Sequence, residues 1–269
     1  MLNAKNGQLD LATGRMDYIR FGSGRKVLVM IPGVGDGLKT VKGMALPFAM
    51  LYRPLAKDFT VYVFSRREQL APHMTTREMA EDLNLAMEAL GLSAAAVVGV
   101  SQGGMITQWL AVNHPDKVDR LVLTVTLSRP NDTVKDVISR WTEMAKNGDY
   151  AGIMLDTAER SYSEKRLRKA RVTYKLLGSL GKPKSFDRFL IQAESCVTHD
   201  TYDRLGSISC PTLVIGGTDD RIVTGKASEE IAEKIPGSQL YMYQGLGHGL
   251  YEEAPDFLQR IRDFCGGMA

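Results

Sequence analysis

The chain has 269 residues, which suits one large α/β domain or two small ones. Apolar side chains make up 44% and charged side chains 24%, so the composition excludes a disordered, collagen-like or coiled-coil chain. The 34 basic and 31 acidic side chains give a formal charge of +3, which is too small to indicate a nucleic-acid partner.

Neither a membrane segment nor a secretion signal is predicted. No apolar run approaches the roughly 20 residues that a transmembrane helix requires, and the N-terminus lacks the basic-then-apolar order of a signal peptide. The three cysteines, Cys196, Cys210 and Cys265, are far apart and have no metal-site spacing. We therefore predict a reduced, cytoplasmic setting, no membrane partner and no metal.

In chain order, apolar runs of strand length alternate with amphipathic stretches of helix length, as in βαβ units with a largely parallel sheet. The apolar runs at 26–31 and 94–100 predict strands that are buried on both faces. Further predicted strands lie at 60–64, 120–125, 212–215 and 239–243. Predicted helices lie around 47–57, from Thr75 or Thr76 to Gly91, and at 105–113, 227–234 and 255–264.

The stretch at 131–205 breaks this alternation, because its pattern is helical and it contains no convincing strand. Because the alternation of strands and helices stops here and then resumes, the pattern predicts a helical lid. This lid is inserted into a core formed by residues 1–130 and 206–269. The alternative is a set of two or three ordinary crossover helices.

Positive charge is concentrated at 161–188, which contains nine Lys and Arg residues but only two acidic residues, Glu164 and Asp187. The nine are Lys165, Arg166, Arg168, Lys169, Arg171, Lys175, Lys182, Lys184 and Arg188. These residues either bind an acidic substrate or form a solvated helix face, and we favour the solvated face. Trp141, Met144 and Met154, in the same predicted insertion, line an acyl pocket or pack in its core.

The pentapeptide Gly99-Val100-Ser101-Gln102-Gly103 has the pattern GxSxG. The pentamer alone is a weak signal, but here a predicted buried strand precedes it and a predicted helix follows it. That strand–turn–helix setting is the one that a nucleophile elbow requires. Glycines at both flanks allow neighbouring backbone to approach a strained serine. We therefore predict that Ser101 is a nucleophile.

A serine nucleophile needs a base, and the chain has four histidines. His73 lies in a loop, His114 at a predicted helix end, and His199 within the predicted insertion. His248 lies in a glycine-rich loop directly after a predicted strand, where catalytic groups of α/β proteins are found. His248 is therefore the favoured base.

The acid that orients this base is expected on another strand-end loop. Asp219 and Asp220 follow the predicted strand at 212–215, and adjacent side chains in a turn point in different directions. One of them could also form an Asx turn. The residues themselves leave both aspartates as candidates.

The order Ser, Asp, His resembles that of the α/β-hydrolase superfamily, and the chain is similar over nearly its whole length to the lid-bearing, single-domain bacterial members. Residues 31–35, 99–103, 211–224 and 245–257 carry the resemblance. In the family the acid usually follows a glycine by three residues and precedes Pro or Thr by four. Gly217 and Thr224 then select Asp220, with Asp219 kept as the alternative. The family's GHxxxxExP pattern matches 247–255 and independently selects His248.

The resemblance also implies an oxyanion hole built from two backbone N–H groups. One belongs to Gln102, which follows the nucleophile, and the other to Val34, in the position of the family's His-Gly-x loop. Pro32 stands where that family usually has histidine. A second departure is Ser65-Arg66-Arg67-Glu68-Gln69, where many relatives have a glycine-rich Asp-x-Arg loop.

We therefore predict an α/β-hydrolase fold with a mostly parallel central sheet, flanking helices and a helical lid. The predicted activity is carboxylic-ester hydrolysis, or that of a related thioester or lactone, through an acyl-enzyme and without a cofactor. The alternatives are an enol-lactone or carbon–carbon bond hydrolase of aromatic degradation, and a slow-turnover hydrolase-fold protein that binds a ligand. The predicted partner is a small ester-like molecule. A homo-oligomer is compatible with the sequence, but no feature requires one.

Overall fold

A computed structural model describes residues 2–168 and 181–267 and contains one eight-stranded sheet. The strands are β1 (Lys5–Leu11), β2 (Gly14–Phe21), β3 (Lys26–Ile31), β4 (Phe59–Arg67), β5 (Ala95–Val100), β6 (Val118–Thr124), β7 (Thr212–Gly217) and β8 (Gln239–Tyr243). Their order across the sheet is β1-β2-β4-β3-β5-β6-β7-β8. Strands β4, β3, β5, β6, β7 and β8 are parallel neighbours, and β2 pairs antiparallel with β1 and β4. The predicted mostly parallel central sheet is confirmed.

The α-helices that lie wholly within the described residues are α1 (Ala45–Leu51), α2 (Thr76–Ala89), α3 (Gln102–Asn113), α4 (Asp132–Lys146), α5 (Tyr150–Ser161), α6 (Asp187–Val197), α7 (Gly225–Lys234), α8 (Leu250–Glu253) and α9 (Phe257–Gly266). Helix α2 begins as its sequence predicts, because Thr75 and Glu78 form a reciprocal capping box. None of the described helices is long and apolar enough to cross a bilayer.

The sheet separates two hydrophobic cores. Leu28 and Met30 of β3 belong to one buried cluster, whereas Val29 and Ile31 belong to the other. Successive side chains of a strand point to opposite faces, so an uninterrupted apolar run supplies both cores. A third cluster, which includes Trp141 and Phe189, is formed mainly by residues of α4, α5 and α6.

Helices α4, α5 and α6 occupy the connection between β6 and β7, and the described part of that connection contains no strand. This is the stretch for which the sequence predicts the lid. The basic residues Lys169, Arg171 and Lys175 of that stretch lie outside the described residues.

Two differences from the predicted elements concern the N-terminal part. Strands β1 and β2 form a hairpin that the sequence analysis missed, although Leu9, Leu11, Met16 and Tyr18 alternate with polar residues around a two-residue turn at 12–13. The helix predicted at 47–57 ends at Leu51, and turns continue to β4.

Candidate active site

The predicted site residues follow four strands at one edge of the sheet. Val34 follows β3, Ser101 follows β5, Asp220 follows β7 and His248 follows β8. The carboxyl ends of parallel strands lie at one sheet edge, where ligands bind in open α/β sheets. The topology therefore brings these residues together.

Ser101 lies at the sharp turn between β5 and α3 and has a φ of +54°. A positive φ is strained for a residue with a Cβ, so surrounding contacts must hold it. The Ser101 N–H donates to the Thr124 carbonyl oxygen at 2.9 Å, and the Thr126 hydroxyl donates to the Ser101 carbonyl oxygen at 2.8 Å. Strand β6 and the loop after it thus hold the strained serine in place.

The two glycines of the pentapeptide are required by close packing. A Cβ at Gly99 would lie 2.3 Å from the Thr107 hydroxyl oxygen, and a Cβ at Gly103 would lie 2.0 Å from the Ile31 carbonyl oxygen. Both distances are too short for a side chain. Gly103 therefore allows the start of α3 to pack against the end of β3.

Asp220 and His248 form a buried pair. The Asp220 Oδ2 atom lies 2.8 Å from His248 Nδ1, and Asp220 Oδ1 accepts hydrogen bonds from the N–H groups of Ile222 and Val223 at 2.8 and 3.0 Å. Burial by itself raises the pKa of Asp220, but the charge and hydrogen bond of His248 and the two backbone donors outweigh it. The resulting pKa lies below the usual range, and the carboxylate is ionised at neutral pH.

Asp219 has a different environment. Its side chain is exposed and accepts a hydrogen bond from the Thr218 hydroxyl at 2.9 Å. The structure therefore places Asp220, and not Asp219, against His248.

Ser101 and His248 line the same cavity, and no hydrogen bond joins their side chains in the described part of the chain. Such bonds are often long before substrate binds.

The loop around His248 packs directly against the end of α5. The Gly249 N–H donates to the Ser161 carbonyl oxygen at 2.9 Å, and a Cβ at Gly249 would lie 2.6 Å from the Tyr162 ring. A Cβ at Gly247 would lie 2.8 Å from the same Ser161 oxygen. The glycines flanking His248 therefore permit contact with the inserted helices.

Val34 and Gln102 share a backbone position, and their N–H groups donate no hydrogen bond to another described residue. Each is the first residue of a helix, Val34 of the 3₁₀ helix Val34–Gly37 and Gln102 of α3. First-turn N–H groups have no partner within their own helix. A Cβ at Gly33 would lie 3.2 Å from Ser101 Cβ, which shows how closely the Val34 loop approaches the serine. Both groups are thus donors near Ser101.

A cavity of about 370 Å³ opens beside Ser101 and His248. Its wall is mainly apolar and includes Pro32, Val34, Leu38, Val41, Met44, Phe48, Val100, Trp141, Ile153, Met154, Phe189, Ile222 and Tyr251. Trp141 and Met154 therefore line the cavity, whereas Met144 is not among the lining residues and packs against the third cluster. The cavity suits a small, largely apolar molecule.

The basic residues described in 161–188 are not among the cavity-lining residues. Arg166 pairs with Glu252 and Arg188 with Asp36, while Lys165, Arg168, Lys182 and Lys184 are exposed. Lys39 is the basic residue that does line the cavity. For the described residues, this arrangement favours the solvated face over a grip on substrate.

The other three histidines lie elsewhere. His73 pairs with Glu194 at the surface, His114 pairs with Glu81, and His199 is buried between the hydroxyls of Thr76 and Thr201. Burial lowers the pKa of His199 to about 3. Within residues 2–168 and 181–267, no cluster of His, Cys, Asp and Glu has the composition of a metal site.

Sequence reasoning missed a buried polar network beside the serine. Arg66 donates to the Pro32 carbonyl oxygen and to Gln102 Oε1, and Asp36 accepts from Arg188 and Gln192. Arg66 and Arg67, at the end of β4, were a visible departure from the family pattern. The partners of the Arg66 side chain could not be identified, because Pro32 and Gln102 follow other strands of the sheet.

Three comparisons with known proteins agree on the fold. The family model described as "alpha/beta hydrolase fold" matches residues 26–255. A RutD protein of Caulobacter sp. (strain K31), named for a proposed carbamate hydrolase activity, is 28% identical over 92% of this chain and 93% of its own length.

A Pseudomonas putida protein named 2-hydroxy-6-oxononadienedioate/2-hydroxy-6-oxononatrienedioate hydrolase 2 is 25% identical over 97% of this chain and 93% of its own. Among solved structures, the alpha/beta hydrolase MGS-M2, from a Medee basin deep-sea metagenome library, superimposes with a TM-score of 0.85. It has 20% identity, and the match covers 97% of each chain.

Proposed function

Because the chain belongs to the α/β-hydrolase fold family and is a hydrolase enzyme, we propose that it cleaves carboxylic esters through Ser101, His248 and Asp220. The observation that carries this proposal is the buried 2.8 Å contact between Asp220 and His248, whose side chain lines the same cavity as Ser101. A neutral imidazole with Nδ1–H bound to a carboxylate has its Nε2 lone pair available for a proton.

In the proposed reaction, Ser101 Oγ forms a bond to the acyl carbon while His248 Nε2 takes the hydroxyl proton. The carbonyl electron pair moves to oxygen, which binds the N–H groups of Val34 and Gln102. Collapse of this intermediate breaks the bond to the alcohol, which takes the proton from His248. Water then repeats the sequence on the acyl-enzyme and releases the acid.

The apolar wall of the cavity supports a neutral acyl group. Residues of the stretch 131–205, among them Trp141, Ile153, Met154 and Phe189, form a large part of that wall. This contribution supports the prediction that 131–205 is a lid over a core of 1–130 and 206–269. The lid would exclude water from the acyl-enzyme.

The test is hydrolysis of p-nitrophenyl esters from acetate to decanoate by the wild-type protein and by Ser101→Ala. We expect sustained turnover that the variant loses, with a chain-length optimum that reflects the cavity. Turnover that survives in Ser101→Ala would refute the assigned nucleophile. A burst that stops near one equivalent would instead indicate a slow-turnover ligand-binding protein.

A second candidate is hydrolysis of a carbon–carbon bond or an enol lactone. It is favoured by the similarity to the Pseudomonas putida hydrolase over nearly the whole of both chains, and by Lys39, which could bind a substrate carboxylate. If the wild-type protein hydrolyses none of the esters, 2-hydroxy-6-oxononadienedioate becomes the substrate to test, again against Ser101→Ala. Activity on the dienedioate alone would replace the ester proposal.

A further inference from the structure

Arg66 lies near the end of β4 and is only 4% exposed. A single nitrogen of its guanidinium, Nη2, donates to the Pro32 carbonyl oxygen at 2.6 Å and to Gln102 Oε1 at 2.7 Å. Pro32 begins the loop that carries the Val34 N–H, and Gln102 carries the other free N–H. One cation therefore joins the two chain segments that hold the candidate oxyanion donors.

The position of Arg66 is unfavourable for folding. No carboxylate oxygen of the described residues lies within the 4 Å of an ion pair, and its Nε and Nη1 atoms have no hydrogen-bond partner there. Burial lowers the pKa of the guanidinium. A buried cation with no carboxylate at ion-pair distance costs folding free energy, and the negative charge of Asp36, which raises the pKa of the guanidinium, offsets only part of that cost. Residues whose burial is unfavourable for folding are commonly found at functional sites.

Hydrogen bonds fix both peptides that lead to the Val34 N–H. Arg66 holds the Pro32 carbonyl, and the Asp36 N–H holds the Gly33 carbonyl at 3.1 Å. In a planar trans peptide the N–H points away from the carbonyl, so the bond to the Gly33 oxygen orients the Val34 N–H to the opposite side. Without Arg66, the Pro32–Gly33 peptide would lose the contact that sets its orientation.

The Gln102 side chain is held equally closely. Its Nε2 donates to the Gln192 carbonyl oxygen at 2.6 Å and to the Ser195 hydroxyl at 2.9 Å, both on α6. Asp36 Oδ2 accepts from the Arg66 N–H at 3.1 Å and from Arg188 of α6 at 2.8 Å. The network therefore links the Val34 loop, the start of α3 and helix α6.

We propose that Arg66 is a positioning residue that aligns the Val34 and Gln102 N–H groups toward the developing oxyanion. This inference rests on the proposed function. Arg66 is not among the residues that line the cavity, so it would act through Pro32 and Gln102 and not on the substrate itself. Its removal should weaken binding of the transition state while leaving binding of the ground state nearly intact.

The test compares Arg66→Met with Arg67→Met. Arg67 is a matched control, because it neighbours Arg66 but contacts the Thr13 carbonyl and Asp82, away from the cavity. For the preferred p-nitrophenyl ester, we expect Arg66→Met to lower kcat by about 10- to 100-fold, since removing a whole oxyanion donor costs about 100- to 1,000-fold. KM should change less than about threefold, and Arg67→Met should stay within about twofold of wild type on both constants.

Two inhibitors distinguish misalignment of the oxyanion donors from a general loss of active-site structure. A trifluoromethyl ketone accepts Ser101 Oγ at its carbonyl carbon and forms a stable oxyanion, whereas the matching secondary alcohol cannot. In Arg66→Met the inhibition constant of the ketone should rise by the same factor as kcat falls, and that of the alcohol should not change. Completed labelling by a fluorophosphonate counts the folded active sites, so that kcat refers to folded protein.

An unchanged kcat, a loss confined to KM, or an unchanged ketone constant in Arg66→Met would overturn the inference. If that variant does not fold, Gln102→Met keeps the backbone N–H, removes the acceptor of Arg66, and should give the same split. Failure of the proposed function is visible separately, because the wild-type protein would then hydrolyse none of the esters.

Discussion

Replacing Asp220 by asparagine tests the pairing of carboxylate and imidazole most directly. The N–H groups of Ile222 and Val223 both donate to Asp220 Oδ1, so in Asp220→Asn they would hold the amide oxygen of the new side chain at that position. The amide nitrogen would then face His248 Nδ1 at the site where Oδ2 now lies 2.8 Å away. Because that nitrogen is a donor, Nδ1 must lose its proton and Nε2 must carry one.

A histidine protonated at Nε2 cannot accept the Ser101 proton. The corresponding substitution in a serine protease lowers kcat by about 10⁴, which equals about 5 kcal/mol of transition-state stabilisation. We expect a fall of this size in kcat/KM for p-nitrophenyl esters, normalised by active-site labelling. Asp219→Asn is the control and should remain within about twofold, because exposed polar substitutions have small effects. A loss below tenfold in Asp220→Asn, or an equal loss in Asp219→Asn, would refute the reasoning.

Two further predictions concern stability. Gly103→Ala places a Cβ 2.0 Å from the Ile31 carbonyl oxygen and should cost about 3 kcal/mol or more in urea unfolding, whereas Gly35→Ala, with nothing within 4 Å, should cost less than about 0.5 kcal/mol. Equal costs would contradict the packing argument. His199 is buried and its pKa is lowered to about 3, so the unfolded chain binds a proton at this residue below about pH 6.5 and the folded chain does not. This group should reduce the free energy of unfolding by about 1.4 kcal/mol per pH unit as the pH falls from about 6 toward 3. In His199→Gln the fall measured between pH 7 and 5 should be shallower, and an unchanged slope would disprove it.

The parallel part of the sheet could be predicted from the sequence because its strands are buried on both faces. A run such as 26–31 supplies apolar residues to two cores at once, and that requirement is visible as an unbroken apolar stretch. The hairpin of β1 and β2 is half exposed, so its alternation of Leu9 and Leu11 with polar residues is a weaker signal. The strand order itself depends on contacts between residues far apart in the chain.

The candidate site also contains residues that the sequence could predict and residues that it could not. Ser101, Asp220 and His248 stand in short motifs, where local geometry restricts the neighbouring residues. The structure places Ser101 and His248 in the wall of one cavity and Asp220 against His248. The choice between Asp219 and Asp220 depended on which side chain turns inward, which spacing alone does not determine. Arg66 belongs to no motif, because its partners Pro32 and Gln102 come from the loop after β3 and from the start of α3.

The hairpin that the sequence analysis missed has a consequence for how molecules of this protein meet one another. Strand β4 carries apolar residues such as Val61 and Val63. If the hairpin were absent, β4 would be the edge strand, and its unpaired backbone N–H and C=O groups could pair with a strand of a second chain. The hairpin takes that place, so the sheet ends instead in β1, with Lys5 and Asp10 among its polar residues. Charged side chains on an outer strand oppose the addition of a foreign strand. Residues remote from the candidate active site therefore oppose aggregation through this edge of the sheet.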